Sequence, residues 1–564
     1  MATIAELTQE LNAQPGQRGR FEELFKDGGR ERGGWVKRPW GILDSSLPEE
    51  IEQRVSELKR DGVGTLGFVA MGGESSIMGP SDPNILNISS TSPRKFKRLI
   101  GNRDLKTIRW FVVSKSGSTK ETKSNANYLS ALYRHQGLDP TRYIRYVTDP
   151  GTEMEKEKSK EGFTVEHREL GDKTTVGGRN TLVNNPTLLA YTWRNPGNLR
   201  KMLLALTNAH PFGQETEDPW IKAAVSAAPM IRQARPKVAL ILPAWLRERL
   251  WVWLEQNPEE SLGKNNGGFT VYTTRPQLEM LQKMSDKMWV FIEFRIQGEE
   301  SMTQPYSDEA KKSEHPVVTI PVTEGNPLFI PQVVSYGWMK FVAVVGALWQ
   351  INFSDQPPVE AYKKLMRQKK LDLTDAITHA GNAVARDGKL TLIYDGLLRY
   401  LNSSQIEQLE KLKSNTGSVS QIYANLLRFT RGVFDAQTLA YYDDVDETIE
   451  KTLGFISQEI LHQKMNYAAK WGEGTGVLHG LFVNWYSGHP HQIPIHIVAS
   501  DHEQPEFPYP EGAQILKEGA VAAHLSLVEA KRPSLMLIIN GRLDDNAAVI
   551  EEFFKEIKSR FKEL

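Results

Sequence analysis

The chain reads as an α/β protein built on doubly wound parallel sheets. Ten short apolar runs predict this, at 65–71, 108–114, 143–148, 238–243, 269–273, 289–294, 317–321, 391–394, 494–498 and 534–539. Several are Val/Ile-rich and nearly continuous, as strands buried on both faces must be. Stretches with helical patterning lie between them, 121–133 and 245–256 for example. Strand–helix alternation of this kind is the signature of α/β layering.

A chain of 564 residues exceeds one ordinary core, so two or three domains are expected. The polar segment 208–218 (NAHPFGQETED) reads as a linker between two α/β units. The expected division is 1–215, carrying an anion-binding loop, then 216–375, then 376–564. In the last part a helical stretch runs to about residue 452. A mixed region follows and ends in a charged helix at 544–562.

Hydrophobic residues make up 40% and charged residues 24%, the balance of a globular protein. Lys plus Arg and Asp plus Glu both count 69. A globally basic surface for nucleic acid or an anionic membrane is therefore not expected. Cysteine is absent, which excludes disulfides, thiolate catalysis and Cys-ligated zinc. Residues 1–34 are polar, and no run approaches the roughly 18–20 apolar residues of a membrane span. A cytoplasmic enzyme is the expectation.

Ligands of open parallel sheets bind beyond the carboxyl ends of the strands. After the run at 108–113 come Ser114, Lys115, Ser116, Gly117, Ser118 and Thr119, and then Lys120, Glu121 and Thr122 open a helix. Four hydroxyls, one glycine and a helix N-terminus make an anion cradle. The spacing is not that of a nucleoside triphosphate loop. A second glycine turn, Gly72-Gly73-Glu74-Ser75-Ser76, follows the first run and lets a ligand approach the backbone. His489, His491, His496 and His502 lack the carboxylate cluster of a familiar metal site and read as a loop.

These motifs together resemble the sugar isomerase (SIS) domains of the glucose-6-phosphate isomerase family. Val176-Gly177-Gly178-Arg179 resembles its VGGR segment, and residues 256–264 resemble its Q-x-x-x-E-S-x-G-K segment. Residues 353–363 are similar to its F-D-Q-x-x-V-E-x-x-K segment with one residue inserted, and residues 471–479 to its W-G-E stretch ending in His. Because the Gln356 segment precedes the His479 segment, the order looks closest to the isomerase half of bacterial transaldolase–isomerase fusions.

The resemblance implies two SIS-type domains and an aldose–ketose isomerase for glucose 6-phosphate and fructose 6-phosphate. Glu260 would carry a proton between C1 and C2 through a cis-enediol(ate), partly desolvated by Trp251 and Trp253. Pro258 would break the helix just before it. Arg179 would stabilise the developing charge, and His479 and Lys363 would open the sugar ring. Gly73, Ser75 or Ser76, Ser114, Lys115, Ser116, Ser118, Thr119 and Thr122 would hold the phosphate, with Gln256 and Gln356 orienting hydroxyls. The implied chemistry needs no metal or cofactor, and a homodimer is implied. A glucose/mannose-6-phosphate isomerase, or a non-catalytic SIS-type sensor of sugar phosphates, stands as the alternative.

Overall fold

The structure, a computed structural model, describes residues 34–170, 176–211, 217–233, 237–273, 289–354, 358–368, 370–415, 418–465, 467–502, 504, 507–542 and 547–563. The chain divides into two compact units, Met1–Ser89 with Asn102–Asp355, and Ser90–Gly101 with Gln356–Leu564.

The first unit holds two parallel sheets. One has the order β2-β1-β3-β4-β5, built from β1 (Thr65–Val69), β2 (Ile85–Ile88), β3 (Ile108–Val113), β4 (Ile144–Thr148) and β5 (Thr164–His167). Thr65 pairs with Ile108 and Val69 with Val112, so β1 and β3 end side by side. This is a doubly wound order whose direction of winding reverses between β1 and β3. The other sheet has the order β7-β6-β8-β9, from β6 (Lys237–Ile241), β7 (Thr270–Tyr272), β8 (Trp289–Ile296) and β9 (Val317–Val322).

Both sheets share one apolar core, against which the helices bury apolar residues. Helix Leu47–Arg60 buries Ile51, Val55 and Leu58 at i, i+4 and i+7. Its first turn carries Glu49 and Glu50 and its last Lys59 and Arg60, matching the helix dipole. The expected linker at 208–218 has buried ends. His210 and Lys340 both reach the Asp218 carboxylate, at 3.5 Å and 2.8 Å. Residues 212–216 lie outside the described residues.

Helix Ala244–Leu262 corrects another expectation, since it runs through Pro258 and carries Glu260 in its last turn. Proline offers no N–H to the carbonyl four residues back. Here that carbonyl, of Leu254, accepts the Trp338 indole N–H at 3.0 Å instead, so the helix continues without an orphaned acceptor.

The second unit carries a six-stranded mixed sheet, β10-β11-β15-β14-β12-β13. Its strands are β10 (Val384–Arg386), β11 (Leu390–Ile393), β12 (Ala436–Tyr441), β13 (Ala468–Glu473), β14 (Gln492–Asp501) and β15 (Leu535–Arg542). β11 runs antiparallel to β10 and β15, and the other pairs are parallel. Three of these strands fall in the stretch expected to be helical up to residue 452, and of them only β11 coincides with an apolar run, at 391–394. They are short, and β12 (AQTLAY) is rich in Ala and polar residues, which hides a buried strand from composition. Helix Pro510–Glu529, buried along most of its length, covers β14. Among the described residues no helix is long and apolar enough to cross a membrane.

Candidate functional site

The loop after β3 stands where the winding of the first sheet reverses. Ser114 is buried, and its hydroxyl accepts the Gly117 N–H at 3.1 Å, turning the loop from inside. Gly117 sits at φ +67°, and a Cβ there would lie 2.4 Å from Cβ of Met154, so the turn requires glycine. Ser116 and Ser118 are exposed with their hydroxyls 2.7 Å apart. Thr119 opens helix Lys120–His135 without capping it through its side chain, and Thr122 is buried in the first turn. Two exposed hydroxyls thus stand just before a helix N-terminus that Thr119 does not cap through its side chain. Lys115 is half-buried, with Nζ 3.5 Å from the Val176 carbonyl.

The turn after β1 meets Arg179. Gly72 takes φ +66°, and helix Gly73–Ile77 follows. A Cβ on Gly73 would fall 2.4 Å from the Arg179 Cα, so glycine is what allows the two turns to touch. The serines divide their work. The buried Ser75 hydroxyl donates to Asn87 Oδ1 at 3.0 Å, and Asn87 donates back to the Ser75 carbonyl at 2.8 Å. The Ser76 hydroxyl donates to Gln256 Oε1 at 2.8 Å. Ser75→Ala should therefore cost about 1–3 kcal/mol in denaturant melts, since it strands a buried amide oxygen. Ser76→Ala should cost less, about 0.5–1.5 kcal/mol, because its hydrogen bond to Gln256 is only part-buried. Equal losses from the two alanines would contradict this division.

Three buried glutamates stand on the last turns of helix Ala244–Leu262. Glu255 accepts from the backbone and hydroxyl of Thr273, at 3.0 Å and 2.7 Å, and Glu259 accepts the Val271 N–H at 3.0 Å. Both stitch the helix to β7 and the residue after it. Glu260 differs. Its Oε1 accepts from Arg179 Nη1 at 3.3 Å and its Oε2 from Gln256 Nε2 at 3.2 Å.

Arg179 is 1% exposed and spends its fork on three partners. Nε donates to the Ser261 hydroxyl at 2.7 Å, Nη1 to Glu260, and Nη2 to the Phe353 carbonyl. Its own carbonyl accepts from Trp253 Nε1 at 3.0 Å and Asn257 Nδ2 at 3.2 Å. Trp253 thus holds the arginine's backbone, and Trp251 is half-buried. Lys264 donates to the Asn352 carbonyl, so Arg179 and Lys264 together anchor the segment leading to Gln356. Gln356 itself lies outside the described residues.

Lys363 and His479 both belong to the second unit. Lys363 is half-buried on helix Val359–Gln368, and His479 is half-buried directly after helix Gly474–Leu478. The histidine-rich stretch is not one loop. His496 lies on β14 against the Tyr442 hydroxyl at 2.9 Å, and His502 bonds to Asp443 at 3.1 Å. Burial, with His524 beside it, keeps the His496 ring well below the usual histidine range and hence neutral. His489 and His491 have ring centroids 5.5 Å apart. Among the described residues no group of three or more His, Cys, Asp or Glu side chains is set to hold a metal.

Glu74 answers to a partner that no motif indicated. It is 5% exposed and accepts from Arg168 Nη1 at 2.8 Å. Burial pushes its carboxyl up from 4.5, the Arg168 charge opposing this and the nearby Asp149 and Glu169 adding to it. A carboxyl raised on folding binds its proton more tightly in the native state, so stability falls as pH climbs from the unfolded value through the folded one. Glu74→Gln lacks that term. Its melting temperature should gain on wild type as the pH rises above the ordinary carboxyl value of 4.5. A difference that stays flat or shrinks with pH would mean the Glu74 carboxylate forms without penalty.

No family model matches the chain. Over 344 residues it is 24% identical to the Methanococcus maripaludis protein named "Probable glucose-6-phosphate isomerase", spanning 54% of this chain and 77% of that one. Over 373 residues it is 24% identical to a glucose-6-phosphate isomerase of Thermus thermophilus, spanning 57% of this chain and 88% of the other. Among solved structures, hypothetical protein TT0462 from Thermus thermophilus has a TM-score of 0.51 at 20% identity, over 64% of this chain and 94% of that one, and so shares its fold. In sequence the chain is thus similar to glucose-6-phosphate isomerases at 24% identity, and in fold to protein TT0462.

Proposed function

We propose that this protein is a sugar-phosphate isomerase that interconverts glucose 6-phosphate and fructose 6-phosphate. The observation that supports this best is the buried Glu260 carboxylate held between Arg179 and Gln256. Isomerisation needs one base that serves both C1 and C2. Glu260 removes the C2 proton of the open aldose, and the C–H electrons form the C1–C2 double bond as the carbonyl oxygen becomes an enediolate. Glu260 then delivers a proton, exchanged in part with solvent, to C1 while the O2 hydroxyl proton passes to O1, and the C2 oxygen becomes the ketose carbonyl. Arg179, desolvated and fixed, stabilises the enediolate oxygen.

The phosphate is the handle. Ser116, Ser118, Thr119 and the helix N-terminus after them fit an anion, and its binding energy positions the reacting carbons. Ser114, Lys115 and Thr122 shape and back the loop in this reading, as Gly73 backs Arg179. Ring opening by Lys363 and His479 rests on the family resemblance, as do Gln356, a homodimer and a cytoplasmic location.

The test follows fructose 6-phosphate in deuterium oxide by a coupled assay and by NMR. Conversion to glucose 6-phosphate with deuterium entering at C2 is the expected result. Binding without conversion would make the protein a sensor. Parallel turnover of mannose 6-phosphate would make it a dual isomerase.

A further inference from the structure

We propose that Arg168 is a positioning residue that locks the phosphate loop, the glycine turn and the Arg179 turn into one rigid cradle, an inference that rests on the sugar-phosphate reading above. Arg168 follows β5, its backbone N–H continuing the sheet to the Thr148 carbonyl at 2.9 Å. Its side chain is fully buried, at 0% exposure. A buried guanidinium of this kind is retained only when its donors are matched.

Beyond the neighbouring Glu169, the partners come from three separate segments. Nη1 donates to Glu74, in the turn after β1, at 2.8 Å. Nε and Nη2 grip both oxygens of Asp149, after β4, at 2.8 Å and 3.3 Å. Nη2 also donates to neighbouring Glu169 at 2.5 Å and to the Val176 carbonyl at 2.9 Å, three residues before Arg179. Each of these segments then touches the proposed site. The Asp149 N–H donates to the Lys115 carbonyl at 3.3 Å, and Lys115 Nζ shares the Val176 carbonyl. Gly73, next to Glu74, abuts Arg179. Glu169 accepts the Val176 N–H at 3.1 Å and reaches Arg38 at 2.7 Å.

One planar fork thus sets the spacing between the phosphate-holding loop and the charge-stabilising arginine, although it faces neither reacting atom. Lysine cannot reproduce this, because a single ammonium reaches fewer of the four directions. A shift of about 1 Å between handle and reacting centre is enough to lower turnover by about a hundredfold.

The experiment compares Arg168→Met and Arg168→Lys with wild type. Lys340→Met serves as the control, because it breaks another buried ion pair of the same unit away from the site. Circular dichroism establishes the temperature at which each is folded. There, kcat and KM for fructose 6-phosphate are measured, with the dissociation constant of inorganic phosphate from calorimetry. The expected result for Arg168→Met is a loss of about tenfold to a hundredfold in kcat. KM and the phosphate dissociation constant should rise by about tenfold, with partial recovery in Arg168→Lys and wild-type values in Lys340→Met. Wild-type kcat, KM and phosphate binding in folded Arg168→Met would overturn the proposal, leaving Arg168 a stabilising residue only.

If Arg168→Met does not fold, Asp149→Asn takes its place. It loosens the arm nearest Lys115, and weaker phosphate binding supports the proposal while unchanged binding overturns it. The phosphate measurement also separates the two readings. Were wild type to turn over no sugar phosphate, the isomerase reading would fall. Weakened phosphate binding in Arg168→Met would still carry the cradle, and unchanged binding would sink it.

Discussion

Glu260→Gln should lower kcat for fructose 6-phosphate by about 10³-fold, the usual worth of a positioned general base. The substitution keeps the shape of the side chain and removes its ability to take a proton. Binding should change by no more than about threefold, because the phosphate handle is untouched. The amide has one acceptor where the carboxylate has two, so either Arg179 or Gln256 loses its partner. Stability should fall as well, by up to about 3–5 kcal/mol, the range for breaking a buried ion pair. Steady-state kinetics with calorimetric binding on the same preparation checks both halves. A Glu260→Gln enzyme retaining a tenth of wild-type kcat would remove Glu260 as the base. Glu255 and Glu259 supply the internal comparison: each bonds to backbone at or beside the neighbouring strand, so Glu259→Gln should act on stability before turnover.

Arg179→Met should reduce kcat by about 10²–10³-fold, as loss of one charge-stabilising donor group does. It should also destabilise the protein by about 3–5 kcal/mol, since Glu260 is left buried without its cation and the Phe353 carbonyl loses a donor. The turn itself should persist, because Trp253 and Asn257 hold the Arg179 backbone rather than its side chain. Arg179→Lys should rescue little, for one ammonium cannot reach Ser261, Glu260 and the Phe353 carbonyl together. The double variant Arg179→Met/Glu260→Gln separates stability from chemistry. Without either charge it should regain part of the stability that Arg179→Met loses while remaining inactive, a non-additivity expected of contacting residues. Denaturant melts and turnover on the four proteins make the cycle. Strict additivity in stability would mean that the 3.3 Å contact carries no energy.

The strands show how far the sequence could be read. All ten apolar runs lie on strands, from β1 at Thr65–Val69 to β15 at Leu535–Arg542. Two of the strands without a run share a cause. β5 is half-exposed at a sheet edge and reads TVEH, and β13 reads AAKWGE. A strand that buries little apolar area, or buries it through alanines and aliphatic stems, leaves no hydrophobic run. The helix break assigned to Pro258 failed for another reason. Local rules treat the missing N–H as final, whereas the Trp338 indole, 84 residues from the carbonyl it satisfies, replaces it.

The sequence by itself determined the α/β class and the glycine-serine loops after β1 and β3. Those are local properties: buried parallel strands must be apolar, and a φ of +67° beside Met154 must be glycine. Only the tertiary structure decided that Glu260 accepts from Arg179, and which of two adjacent serines faces Gln256. It alone joined Arg168 to three separate segments, at Glu74, Asp149 and Val176. Each of those choices is a hydrogen bond between groups far apart in the chain, Arg179 and Glu260 standing 81 residues from each other. A buried charge is retained where its partners converge. Convergence is a property of the folded chain, with no trace in the residues to either side.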